Sequence, residues 1–296
     1  MTDAICWVSP ATDLRGEMTG KLLVRGMLLG LVAGLLSFGF LKLAGEPSVD
    51  RAIAFETAME QAKAAEARAK GLPAPAEYPE LVSRPVQAGI GLLTAVAVYS
   101  TAFGGLFSLA FALAFRRMGD FGARATSALL ATAGFVSVYL VPMLKYPANP
   151  PAVGLPETID MRTSLYFAMI LISLAAMIAA GMLRLRLAPR FGNWNAALMA
   201  AGIYIVIVSG VALALPELNE VAEAFPATVL WQFRIASLGG QAIMWGALGL
   251  MFGVAAERVV AQREPALRSA ANLKFLSVSP RILHRNFKFK SRTKNQ

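Results

Sequence analysis

Six stretches of this 296-residue chain contain no Asp, Glu, Lys or Arg: 26–41, 85–115, 125–144, 163–183, 191–216 and 235–256. Crossing about 30 Å of hydrocarbon takes roughly 20 predominantly apolar residues, and five of the six runs supply them unaided. The first does so if Lys42 reaches its ammonium out to the interface while its methylenes stay in the apolar layer. A charge at the centre of such a segment costs about 3 kcal/mol on insertion, so the gaps between charges mark the spans. The pattern predicts an all-α fold, a polytopic helical membrane protein with six transmembrane helices near 22–44, 88–114, 124–144, 164–184, 195–215 and 235–256. Charged residues make up only 16% of the chain, against about 25% in soluble domains. One Cys, Cys6, excludes a disulfide framework, and one His, His284, removes most zinc motifs and most His-based catalysis.

Lys and Arg set the orientation. Lys21 and Arg25 flank the first helix, Arg116, Arg117 and Arg124 follow the second, and Arg184, Arg186 and Arg190 follow the fourth. The segment from Glu257 onward carries ten basic residues against two acidic ones. The intervening loops are mixed or acidic. By the positive-inside rule both termini are expected in the cytoplasm, with three loops outside. The net charge of +10 then belongs to the membrane pattern, with the basic tail lying against anionic lipid. No nucleic-acid motif accompanies it.

The chain divides into an N-terminal extension 1–17, a membrane domain 18–258 and a basic cytoplasmic tail 259–296. Met18 is an alternative start, and a cleaved signal peptide is a rival reading of the first apolar run. Between the first two spans, residues 48–70 read as an external, Ala-rich helix, with Ser48 as its N-cap and Gly71 as its stop. The Pro-rich segment 146–151 cannot be helical. The run 85–115 is long enough either to tilt or to break into two half-helices around Gly104-Gly105.

Several features carry a functional and a structural reading side by side. Gly26, Gly30 and Gly34 repeat every fourth residue, which permits close helix approach, as a mobile contact or as plain packing. Met169, Met177, Met199, Met244 and Met251 suit apolar filling better than a soft-metal path. Glu46, Asp50 and Glu56 cluster after the first span, and Glu217, Glu220 and Glu223 after the fifth. Either group attracts a cation or is merely solvated. The segments Pro47–Phe55 and Pro216–Phe225 are faintly alike, which admits a parallel duplication. No H-E-x-x-H, Walker or G-x-S-x-G motif occurs, so no enzyme activity is expected.

The run Leu144-Lys145-Tyr146-Pro147-Ala148-Asn149-Pro150-Pro151-Ala152-Val153-Gly154, with Pro156-Glu157-Thr158-Ile159 and Arg162-Thr163 after it, resembles the proposed cobalt transporter subunit family, CbtA. So do Gly45-Glu46-Pro47 through Glu56, Ser83-Arg84-Pro85-Val86-Gln87-Ala88-Gly89, and Phe225-Pro226 through Trp231-Gln232-Phe233-Arg234. The resemblance covers roughly residues 18–258 and leaves out both ends. It implies the membrane subunit of a Co²⁺ uptake system in the bacterial inner membrane, with Co²⁺ as cargo and no permanently bound cofactor. It also implies a small, one-helix, His-rich CbtB-like partner. It supplies no ligand residues. Co²⁺ favours imidazole and oxygen donors, so the external carboxylates Glu46, Asp50, Glu56, Glu157 and Asp160 are the candidates to gather the ion. Arg162 and Arg234 are expected to anchor the outer loops on acids or lipid. The alternatives are a permease for another cation or small molecule, and a non-transporting membrane scaffold.

Overall fold

A computed structural model describes residues 10–73, 82–151, 153–154 and 158–262, with side chains from Met18 onward. Within these residues the chain is helical and has no strand. We label the helices α1 (Pro10–Ala44), α2 (Glu46–Ala69), α3 (Arg84–Ala114), α4 (Ala123–Lys145), α5 (Ile159–Ala214) and α6 (Ala227–Ala261). Five are long and apolar enough to cross a membrane: α1 from Met18, then α3, α4, α5 and α6. Polar α2 is not among them.

The difference from the six expected spans lies in α5, whose 56 residues take in both 164–184 and 195–215. A straight helix of that length would reach about 84 Å, well over twice the hydrocarbon thickness. It does not run straight. Gly192 has φ 79° and ψ 160°, a conformation that costs glycine nothing and other residues dearly. Ser173 and Tyr204, 31 residues apart, share a hydroxyl–hydroxyl hydrogen bond of 2.8 Å, where a straight helix would separate them by about 46 Å. Met169, Ala176 and Ala180 on one arm bury against Ala200, Tyr204 and Val208 on the other. So α5 is a hairpin of two apolar arms, 159–191 and 193–214, with helical backbone up to its turn where a loop was expected.

The tightest packing joins α1, α3 and α6, with α4 laid along α6. Gly26, Gly30 and Gly34 face Ser100, Gly104 and Ser108 of α3. A Cβ on Gly26 would sit 2.5 Å from the Gly104 carbonyl oxygen, and Cβ atoms on Gly30 and Gly34 would fall closer still to Ser100. Plain close packing thus accounts for the glycine repeat. Two serines use the same proximity. Ser37 Oγ donates to the Gly240 carbonyl at 2.9 Å, and Ser127 Oγ to the Gly249 carbonyl at 2.6 Å. Lipid tails are as apolar as leucine, so such contacts, rather than a hydrophobic effect, hold membrane helices together. Between these polar points Phe107, Phe111 and Phe252 meet edge-to-face, and Gly134 leaves room for the Trp245 ring.

Gly104-Gly105 does not break α3, which is regular helix from Leu92 to Ala114. The irregular backbone is a π-helical turn at Gln87–Gly91 and another in α4 at Phe135–Leu140. The second precedes Pro142, whose missing N–H and bulky ring disturb the preceding turn. At the first, Lys42 Nζ donates to the Ala88 carbonyl at 2.9 Å, so the lysine that ends the first charge-free run finds a protein acceptor. The start of α2 also differs from expectation. Its N-cap is Gly45, Pro47 sits in its first turn, and Ser48 is buried within it, its hydroxyl without a partner among the described residues. At its other end Gly71 (φ 69°) follows the last turn. His284 and Cys6 lie outside the described residues.

The α5 hairpin packs mainly on residues 135–145 of α4. Its other faces are open, with Leu171 and Val206 about two-thirds exposed, as lipid contact requires.

The glycine seam makes a sharp prediction. Gly30→Ala should lower stability by about 1–3 kcal/mol through overpacking. Gly39→Ala, where nothing lies within 4 Å of the added carbon, should be neutral or slightly stabilising. Thermal unfolding of the two purified variants in detergent checks the contrast.

Candidate functional site

Polar loops gather at one end of the bundle, where α2, the loop 146–154, the start of α5 and the loop 215–226 meet. The opposite end carries Lys21, Arg25, Arg116, Arg117, Arg124 and Arg184. Of the acidic side chains that sequence reasoning singled out, Glu46, Asp50, Glu56 and Asp160 sit at the loop end, yet they do not form one cluster.

Glu46 and Asp50 are one turn apart on α2 and share a face. Both are taken by Arg84, at the start of α3. Its guanidinium lies 2.6 Å from Glu46 and 2.8 Å from Asp50, with a second contact from Nε to Asp50 at 3.2 Å. Pro85 fixes the first turn of α3 and so aims Arg84 at α2. One cation therefore offsets much of the charge of two carboxylates. Glu46 is largely buried in this clamp, while Asp50 keeps most of its surface in solvent.

Glu56 points elsewhere. It lines a cavity of about 520 Å³ with Asn149, Pro150, Gly154, Arg162 and Phe233. Partial burial raises its carboxyl above the ordinary range, and nearby Glu60 raises it further. Its neighbour Phe55 packs edge-to-face on Phe225, with ring centroids 5.2 Å apart, over a small core of Ala52, Phe225 and Val229. The two faintly similar Pro…Ala-Phe segments thus meet through their phenylalanines. Asp160 is exposed in the first turn of α5, where a negative charge suits the helix dipole. Glu157 lies outside the described residues.

Glu220 is the acid whose role the sequence left undecided. It reads as one of three outer-loop acids that either attract a cation or are merely solvated, yet its side chain is only 3% exposed. Arg162 Nη1 donates to its Oε2 at 2.6 Å. Its Oε1 is buried and finds no donor among the described residues. Gly154, at φ 141°, brings the backbone of the Pro-rich loop against this pair, where even a methyl group would touch both side chains. The only hint in the sequence is that Glu220 and Arg162 are opposite charges in two outer loops, and their pairing is a tertiary fact.

Arg162 therefore anchors on an acid, as expected. Arg234 does not. Its guanidinium donates to the Asn149 side-chain oxygen at 3.0 Å and the Ala148 carbonyl at 3.3 Å. Tyr146, whose phenol burial pushes upward in pKa, donates to the Pro216 carbonyl at 2.9 Å. These bonds fasten the Pro-rich loop to α6 and to the loop 215–226. A second cavity, of about 270 Å³, lies inward of it, lined by Tyr146, Asn149, Arg162, Thr163, Tyr166 and Phe167.

Among the described residues no three His, Cys, Asp or Glu side chains converge to hold a metal ion. Arginines are already seated on Glu46, Asp50 and Glu220, which leaves these carboxylates less available as ligands.

Long apolar helices under a layer of fastened polar loops define a polytopic helical membrane protein. Residues 19–257 match the family described as probable cobalt transporter subunit (CbtA), and the chain belongs to that family. It is a family of transporter subunits rather than of enzymes. No curated protein and no solved structure matches the chain.

The buried Arg162–Glu220 pair should respond differently from a surface one. Arg162→Gln strands a buried carboxylate and should cost about 3 kcal/mol, the low end for a broken buried pair because Arg162 is one-third exposed. The double variant with Glu220→Gln should lose less than the two singles combined. Glu257→Gln, which breaks an exposed pair with Arg124, should stay within about 1 kcal/mol. Unfolding of the four proteins under one set of conditions tests the ranking.

Proposed function

We propose that the chain is the membrane-spanning subunit of a Co²⁺ uptake system in a bacterial inner membrane. The observation that carries this reading is the family match over 19–257, which takes in all the apolar helices. In this reading α5 crosses twice, so there are six crossings. The arginine-rich end faces the cytoplasm together with both termini, and the acidic end faces outward.

The ion is gathered, not stored. Glu46 and Asp50 keep part of their field beyond Arg84, and Glu56, Glu157 and Asp160 add to it. Carboxylates suit a first, labile contact with a divalent cation. A negative surface raises its local concentration by long-range attraction that salt screens over about 8–10 Å. Selectivity for cobalt calls for imidazole, and this chain has one histidine. A small His-rich, CbtB-like helix is the partner that would supply it.

The decisive experiment is radioactive Co²⁺ uptake into cells lacking their own cobalt importers, with this chain expressed alone and together with such a partner. Saturable uptake that needs both proteins is the expected result. No uptake in either case, with the chain shown to be in the membrane, would favour another cargo or a scaffold.

Within that assay, Asp50→Ala combined with Glu56→Ala should raise the half-saturating Co²⁺ concentration several-fold. Acidification should act in the same direction. Glu56 must be ionised to attract a cation, and its raised pKa means that protonation sets in at a higher pH than for an ordinary glutamate. Uptake should therefore start to fall between neutrality and the usual carboxylate range, and Glu56→Gln should flatten that part of the profile. An unchanged half-saturation in the double variant would remove these residues from the entry route.

A further inference from the structure

Lys145, Arg162 and Arg234 each bound an uncharged run at the loop end, 125–144, 163–183 and 235–256 respectively. All three therefore mark the edge of the hydrocarbon there. Among the described residues only Arg162 meets an acid, Glu220. Lys145 Nζ lies over the Tyr146 ring, 5.9 Å from its centroid. Arg234 has the neutral acceptors Asn149 and Ala148. A cation at that depth is costly unless something answers its charge. The sequence admits an acid or a lipid for Arg234, and the fold brings it no acid among the described residues.

The inner cavity of about 270 Å³ lies beside these residues, and its polar lining can donate on every side. Asn149, Arg162, Thr163 and Tyr166 all face it, and no Asp or Glu does among the described residues. Arg234 can only donate, so the Asn149 atom 3.0 Å from it is the amide oxygen, and the amide N–H groups are left for another partner. Arg162 spends Nη1 on Glu220 and keeps the rest of its fork. The Thr163 and Tyr166 hydroxyls have no hydrogen-bond partner among the described residues. Donors without acceptors, next to two unmatched cations, call for an oxyanion.

The carrier of that oxyanion follows from α5. Thr163, Phe167 and Leu171 are successive i, i+4 positions on one helix face, and all three are exposed. Thr163 and Phe167 line the cavity, and Leu171 continues the face into the uncharged run. A donor-lined pocket at the hydrocarbon edge thus passes directly into an exposed apolar stripe, as a headgroup passes into its acyl chain. A soluble anion has no use for the stripe. We propose that the cavity holds the phosphodiester of a membrane phospholipid. Arg162, Thr163, Tyr166 and the Asn149 amide donate to its oxygens, and Arg162 suits phosphate through its fork of N–H groups. Arg234 and Lys145 supply the balancing charge, and an acyl chain lies along Phe167 and Leu171. The lipid then serves as the counterion that Arg234 lacks and bridges α5 to the Pro-rich loop. The orientation proposed above puts this lipid in the outer leaflet, and the site itself does not depend on that orientation.

The test is native mass spectrometry of the full chain in detergent, with added phosphatidylglycerol or a glucosyl diacylglycerol of the same acyl chains and no phosphate. One phosphatidylglycerol should stay bound, and the glycolipid should not. Thr163→Val with Tyr166→Phe, which removes two hydroxyls and little volume, should weaken retention about tenfold, as two lost hydrogen bonds would. Arg234→Gln should weaken it more than Arg234→Lys, which keeps the charge. Arg124→Gln, a cation lost at the opposite end, should change nothing. Equal retention of the two lipids, or unchanged retention in the Thr163 and Tyr166 double variant, overturns the site. Displacement of the lipid by millimolar inorganic phosphate would make this a site for a free anion and overturn the lipid assignment. None of these measurements involves cobalt, so the site can fail with the transport reading intact, and uptake can fail with the site intact.

Discussion

Close approach of α1, α3 and α6 is the contact from which the rest of the molecule follows. In hydrocarbon the backbone satisfies its own hydrogen bonds, and apolar side chains gain little by leaving lipid for protein. Specific association needs dispersion at short range and a few polar bonds between helices. Gly26, Gly30 and Gly34 against Ser100, Gly104 and Ser108 supply the first. The bond from Ser37 of α1 to Gly240 of α6 supplies the second, and Ser127 of α4 bonds to Gly249 of α6 in the same way. In both, a glycine lets the partner helix come near its carbonyl, so packing and polar bonding use the same positions. With α1, α3 and α6 fixed, α4 has one groove to occupy and Trp245 one place to go.

The loop end uses electrostatics as the bundle uses packing. Arg84 ties α2 to the start of α3, Arg162 ties α5 to the loop 215–226, and Arg234 ties α6 to the Pro-rich loop. Each arginine stands at or near a helix start and reaches across to a separate segment. A guanidinium suits this task because its fork of donors serves two acceptors at once. Arg84 takes Glu46 and Asp50 together, and Arg234 takes a carbonyl and an amide oxygen. The cost is that the acids used as anchors are less free to serve as ligands. Glu56 and Asp160, which are not used this way, carry more of the surface field.

Much of the bundle was legible from charge spacing alone, because the bilayer punishes a misplaced charge by several kcal/mol and leaves long gaps as a record. The all-α membrane character and the family both came through. Details set by short-range geometry did not. Nothing in Arg184–Arg190 reveals that the backbone stays helical there and reverses only at Gly192. Ser48 looks like an N-cap until Pro47, which belongs in a first turn, moves the helix start back to Gly45. Gly104-Gly105 looks like a break, yet glycine in a membrane helix serves equally to admit a neighbour. At the loop end the acids were visible as a composition, but their sorting into anchors and free charges was not. Glu220 shows why. Its burial depends on Arg162 and Gly154, more than fifty residues away, and no local pattern encodes that meeting.

Packing in the bundle is uneven. The α1–α3–α6 seam is its tightest part, with backbones in contact. The α5 hairpin is different, because it leans mainly on the outer half of α4, at a π-helical turn whose ladder is already irregular. At that end Arg162 pairs with Glu220 of the loop 215–226 that follows the hairpin, and Tyr146 donates to the Pro216 carbonyl. The bundle thus has two unequally packed parts: a tight frame of α1, α3, α4 and α6, and one hairpin that rests on it mainly through residues 135–145 of α4.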